Sequence, residues 1–178
     1  ERDEDDDKRP ITLLQQRGIE ADVLIPFVRR LEDEIGTERA HEVAREVISE
    51  IAREQGERVA EALGRNDLEG FTHVKDSWGG AGGDLTIDTL RQDDQVLEFN
   101  VVGCRFAEMY RNMGAADLGF LLSCQRDFSL SEGYSEGLHL QRTQTIMQGA
   151  AFCDFRYRLA QPATVSEDAP AVDSDPRG

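Results

Sequence analysis

Near its end the chain reads Cys153-Asp154-Phe155-Arg156-Tyr157-Arg158, which sets a thiol, a carboxylate and two guanidiniums side by side. A strand that only closes a core does not need that chemistry. Side chains alternate along a strand, so Cys153 and Phe155 face one way while Asp154 and Arg156 face the other. Two more thiols lie upstream. Cys124 and Asp127 are spaced so that both meet one spot on a helix. Cys104 stands where a strand-like stretch gives way to a helical one. Free N–H groups and the helix dipole there favour a thiolate, and Arg105 adds positive charge. A sulfur so placed suits a nucleophile or a metal ligand.

If the fold brings Cys104, Cys124 and Cys153 together, three thiolates with Asp127 would form a tetrahedral zinc site, although the spacing matches no standard zinc motif. Asp127 and Asp154 are candidate acids or bases. Arg142 and Arg156 suit bidentate recognition of a substrate carboxylate. His139 opens a strand and is a candidate base, whereas His41 and His73 fall on helical stretches and read as structural or exposed. Against these stands a plainer reading, in which the thiols are small buried hydrophobes and the arginines pair with abundant surface acids.

Positioning these groups requires a defined set of elements. Leu14, Ile19, Val23, Phe27, Val28 and Leu31 recur at helical spacing over 11–34, and Pro26 predicts a kink or break near Ile25. Gly36 ends that helix. A second runs to Leu63, with Ala40, Ala44, Val47, Ile48, Ile51 and Ala52 on its apolar stripe. A third spans Asp67 to Trp78, and the glycine run from Gly79 to Gly83 reads as a connector. Strands at 85–91 and 96–102 flank a hairpin turn. Two helices follow, the second running from Ala116 to about Asp127, and then a loop from Phe128 to Gly137. Strands at 138–147 and 151–159 form a second hairpin turning at Gln148-Gly149. Helices and strands are segregated, not alternating. The prediction is therefore an α+β fold: N-terminal helices packed with a roughly four-stranded antiparallel sheet made of two hairpins separated by two helices.

The chain has 178 residues and a net charge of −16. The acidic segment 1–10 and the Pro- and acid-rich segment 160–178 are expected to be disordered tails around a single domain at 11–159. Such acidity disfavours a nucleic-acid groove and an anionic membrane surface. No apolar run approaches the ~20 residues of a membrane span. The cysteine count of three is odd, which favours a reducing, cytoplasmic setting over a disulfide framework.

Three stretches resemble the L-2-amino-thiazoline-4-carboxylic acid hydrolase family. They are Phe99-Asn100-Val101-Val102-Gly103-Cys104-Arg105-Phe106-Ala107-Glu108-Met109-Tyr110, Leu121-Leu122-Ser123-Cys124-Gln125-Arg126-Asp127-Phe128, and Arg142-Thr143-Gln144-Thr145-Ile146-Met147-Gln148-Gly149 through Cys153-Asp154-Phe155-Arg156-Tyr157, and Ile11-Thr12-Leu13-Leu14-Gln15-Gln16-Arg17 also looks like the family's start. The resemblance implies hydrolytic opening of a small cyclic amidine or isothiourea bearing a carboxylate, giving a carbamoyl amino acid. Water would attack an sp² carbon while an acid protonates the leaving ring atom. Cys104, Cys153, Asp127 and Asp154 would carry the chemistry, and Arg142, Arg156 and His139 the substrate. Zinc, if bound, would sit on Cys104, Cys124, Cys153 and Asp127. More distantly, the order of elements and the cysteine placement resemble 4-vinyl reductase-type sensory domains. That resemblance implies a small-molecule-binding module with structural zinc.

Overall fold

The computed structural model describes residues 11–79 and 83–160. The expected tails at 1–10 and 161–178, and the middle of the glycine connector, lie outside them. The chain is α+β. Helix α1 (Leu13–Ile35) leads to α2 (Thr37–Leu63) and α3 (Leu68–Trp78), and strands β1 (Leu85–Gln92) and β2 (Val96–Cys104) follow. Helix α4 (Arg105–Asn112) comes next. A short helix α5 (Ala116–Gly119) then passes through a π-helical turn (Phe120–Cys124) into α6 (Arg126–Tyr134). Strands β3 (Leu138–Gln141) and β4 (Cys153–Leu159) close the fold. The sheet order is β1-β2-β4-β3, with every neighbouring pair antiparallel.

Helix α1 starts on a capping box, with Thr12 and Gln15 satisfying each other's free backbone donors. It continues past Pro26 without the break that was one of the two outcomes expected there. Its buried residues are Arg17, Ala21 and Val28, whereas Ile19, Val23 and Phe27 are exposed. On α2 the same substitution of small for large holds: Ala40, Ala44, Ile48, Ala52 and Gly56 are buried, and Val47 and Ile51 are not. The cause is the approach of α6. A Cβ on Gly133 would fall 2.0 Å from the Arg53 carbonyl oxygen, and one on Gly56 would fall 2.2 Å from that of Leu130. The helices cross backbone to backbone, so small residues face the contact and bulky ones are displaced outward.

The stretch 128–137, expected to be a loop, is largely α6. Its apolar content is low because it packs through Gly133 and buried Ser129, Ser131 and Tyr134, which do not produce a helical hydrophobic stripe. The last hairpin also differs from expectation. β3 ends at Gln141, and the chain reaches β4 through a 3₁₀ turn at Ile146–Gln148, with Gly149 at φ 96°. The strands pair Leu138 with Leu159 and Gln141 with Arg156, so residues 142–155 separate the last pair and form a broad excursion in place of a tight turn.

One face of the sheet carries Leu97, Phe99, Val101, Cys153, Phe155 and Tyr157 against the helices. A second core gathers α1, α2, α4 and the π turn around Phe106, Tyr110, Leu118 and Leu122. Leu85, Cys104 and Ile146 touch both cores.

Candidate functional site

A cavity of about 560 Å³ opens where the two cores meet, a volume in the range of small-molecule sites. Its lining comes from α1, α2, α3, the buried face of the sheet, α4, the π turn, α6 and Arg142. Most of that wall is apolar, including Leu13, Val59, Trp78, Val101, Phe106 and Phe155.

The π turn positions the polar part. Gln125 N–H donates to the Phe120 carbonyl at 2.8 Å, so one extra residue is accommodated before α6 begins. Such turns recur at functional sites because the widened backbone re-aims the residues after it. Ser123, Cys124, Arg126 and Asp127 all reach the cavity wall from this segment.

Asp127 accepts from Arg142 Nη1 at 2.5 Å, and Arg142 Nη2 donates to the Cys124 carbonyl at 2.8 Å. The Arg142 side chain is 1% exposed, and that of Asp127 is 24% exposed. The guanidinium lies 4.8 Å from the Phe155 ring centre and 4.9 Å from that of Phe128, and also faces Phe120. Aromatic faces and a carboxylate together hold a cation that would otherwise be costly to bury. Burial in the cavity wall pushes the Asp127 carboxyl above its ordinary value, and Arg142 only partly opposes this. Burial also works against the Arg142 charge, but Asp127 beside it holds the guanidinium more firmly protonated.

Cys104, Cys124 and Cys153 are all free thiols and all line this cavity. Cys104 does cap α4, accepting from Ala107 N–H at 3.4 Å. Its pKa nonetheless goes up, because burial outweighs the backbone donors. Arg105 does not assist, since it turns to Asp84 at 2.9 Å. Burial pushes Cys124 well up and Cys153 to about 11, the latter although its sulfur accepts from Ile146 N–H at 3.2 Å. The expectation of a low-pKa thiolate at Cys104 is therefore corrected: the helix terminus is present, but the site is too dry for it to prevail.

Among the described residues, no group of three His, Cys, Asp or Glu side chains could hold a metal ion. The thiols share a cavity, yet Cys104 and Cys153 Sγ each accept from a backbone N–H, and Asp127 is taken up by Arg142. The zinc set of Cys104, Cys124, Cys153 and Asp127 does not fit the structure.

Three residues singled out in the sequence lie off the cavity. Asp154 accepts from Thr143 N–H at 3.0 Å, Thr143 Oγ1 at 2.7 Å and Gln144 N–H at 2.9 Å. Partial burial pulls its pKa up, but these bonds bring it below the ordinary value. It pins the excursion between β3 and β4. Arg156 is on the opposite sheet face, as alternation requires, and donates to the Phe99 carbonyl and to Asn100 Oδ1. His139 is exposed on β3 opposite Arg158. Arg17 and Arg126, which the sequence reading did not single out as site residues, line the cavity and are 7% and 5% exposed.

An α+β fold with a cavity of small-molecule volume where its two cores meet defines the class. The chain belongs to the L-2-amino-thiazoline-4-carboxylic acid hydrolase family, whose sequence model matches residues 16–157. Among solved structures the fold is similar to the phenol-responsive sensory domain of the transcription activator PoxR, solved with phenol. The identity is 14%, the TM-score 0.53, and the match covers 83% of this chain and 76% of that one. No curated protein matches the chain. No described helix is long and apolar enough to cross a membrane.

Proposed function

We propose that the cavity receives a small ring compound bearing a carboxylate, of the 2-amino-thiazoline-4-carboxylate kind, and that the chain hydrolyses it. Asp127 is the proton-transfer group. Water adds to the amidine carbon of the ring, the bond from that carbon to one ring heteroatom breaks, and the departing atom takes a proton. The product is a carbamoyl amino acid. A carboxyl whose pKa is raised by burial suits this exchange, because it holds and releases a proton nearer neutrality. The observation that carries the reading is Asp127 itself: a cavity-facing carboxyl in an apolar wall, oriented by Arg142 at 2.5 Å. Arg142 acts through Asp127, and two of its guanidinium nitrogens are already engaged by Asp127 and the Cys124 carbonyl. The thiols contribute wall, not nucleophile.

The test is chromatographic detection of a carbamoyl amino acid from 2-amino-thiazoline-4-carboxylate. The expected result is turnover by the wild-type chain, and its loss by at least about a hundredfold in Asp127→Asn with the native circular dichroism retained. Turnover that survives Asp127→Asn would remove Asp127 from the chemistry.

A second reading is a ligand-binding module without turnover, as in the sensory domain whose fold this chain shares. The elevated thiol pKa values and the mostly apolar wall favour it. Saturable calorimetric binding of the same compound, with no product after prolonged incubation, selects it.

A further inference from the structure

At the α1 end of the cavity two buried guanidiniums share one carboxylate. Arg17 Nη1 donates to both Glu20 oxygens, at 2.7 and 2.6 Å, and Arg126 Nη2 donates to Glu20 Oε2 at 2.9 Å. Arg126 Nε donates to the Leu122 carbonyl at 3.0 Å. Arg126 Nη1 is buried and has no partner among the described residues. Asp127, the carboxylate that lines the cavity, is committed to Arg142. Counting Arg17, Arg126 and Arg142 against Glu20 and Asp127 leaves one positive charge over.

An unpaired guanidinium N–H in a dry place is costly, and native structures rarely leave one without a reason. A surplus buried cation is costlier still, unless an anion arrives. Burial and the neighbouring Arg17 both pull the Arg126 pKa down, as expected of a guanidinium with too little compensating charge.

We propose that Arg126, supported by Arg17, is the anion subsite of this cavity, and that its side chain turns to bring the occluded, unpartnered Nη1 onto the carboxylate of a small planar ligand. This rests on the reading that the cavity is a ligand site, and it moves the carboxylate clamp from Arg142 to Arg126. The ligand would then lie across the apolar wall, its carboxylate at the cationic Arg126 end and its ring toward the Asp127–Arg142 pair. Glu20 sets the strength of the subsite, because it neutralises one of the two guanidiniums and leaves the other available.

The experiment is calorimetric titration of benzoate and of its uncharged isostere benzamide into the full chain. The expected result is that benzoate binds at least about tenfold more tightly than benzamide, the value of one charge-assisted hydrogen bond. Arg126→Met should erase that preference and leave benzamide unchanged. Because Arg126 also ties α6 to α1, Glu20→Gln supplies a second variant, which should tighten benzoate selectively. In crystals of the wild-type chain soaked in bromide, an anomalous peak should lie within about 4 Å of Arg126 Nη1. Equal affinities in the wild type, no binding of either compound, a preference that persists in Arg126→Met, or no bromide at Arg126 would each overturn the proposal. Hydrolysis is read separately: a chain that holds benzoate through Arg126 yet forms no carbamoyl product sinks the hydrolase reading and leaves the subsite standing.

Discussion

Asp127 and Arg142 come from α6 and from the excursion after β3, and they meet at 2.5 Å behind the rings of Phe128 and Phe155. Their pairing joins two parts of the cavity wall, and each partner is left in difficulty if the other is removed.

Asp127→Leu strands a guanidinium that is 1% exposed, so it should cost about 3 kcal/mol or more in urea unfolding. Arg142→Met alone should also be destabilising. The double variant should lose clearly less than the sum of the two, since the unpaired charge has gone with its partner. Strict additivity would mean that the pair is not coupled.

The close crossing of α2 and α6 predicts a contrast between two glycines. Gly133→Ala puts a Cβ 2.0 Å from the Arg53 carbonyl oxygen, and should cost about 3 kcal/mol as the helices are forced apart. Gly18→Ala meets only Met109 Sδ at 3.4 Å inside α1, and should stabilise by about 0.5–1 kcal/mol through helix propensity. Thermal melts of both variants decide this.

Cys153 gives a pH dependence of stability. Its folded pKa of about 11 exceeds the ordinary 9.0, so between these values the folded chain binds the proton more tightly than the unfolded chain. The stability is fully present below pH 9 and is lost as pH rises toward about 11, by about 3 kcal/mol in all. Cys153→Ala should flatten that part of the curve. In the same vein, alkylation of all three thiols by iodoacetamide at pH 7.5, about neutrality, should be slow until the chain is unfolded.

Asp154 should behave as a structural residue. Asp154→Ala removes the acceptor for Thr143 and Gln144, and should lower stability by about 1–2 kcal/mol. Its depressed pKa makes this contribution present above the ordinary 3.8 and lost as pH falls through the lower folded value. Benzoate affinity should change little. A large drop in affinity with unchanged stability would return Asp154 to the site.

The sequence by itself determined the class of fold and the family. Period-two segments marked β1, β2 and β4, glycines bounded α1 and α2, and the stretches around Cys104, Cys124 and Cys153 carried the resemblance. It also placed Asp127 and Cys124 on one face, because helical spacing is a local property. Tertiary structure decided what those groups are. Whether the thiol at a helix N-terminus is ionised depends on how dry its surroundings are, and that dryness is set by α1, α2 and the sheet closing over Cys104. Alternation alone put Arg156 and Asp154 on the face opposite Cys153, but only the packed helices show which face is the cavity. Helix α6 was hidden because Gly133, Ser129 and Ser131 pack by being small, which leaves no hydrophobic stripe to read. Arg17 and Arg126 became site residues only when α1 crossed the start of α6, a contact between positions 106 residues apart at Glu20 and Arg126.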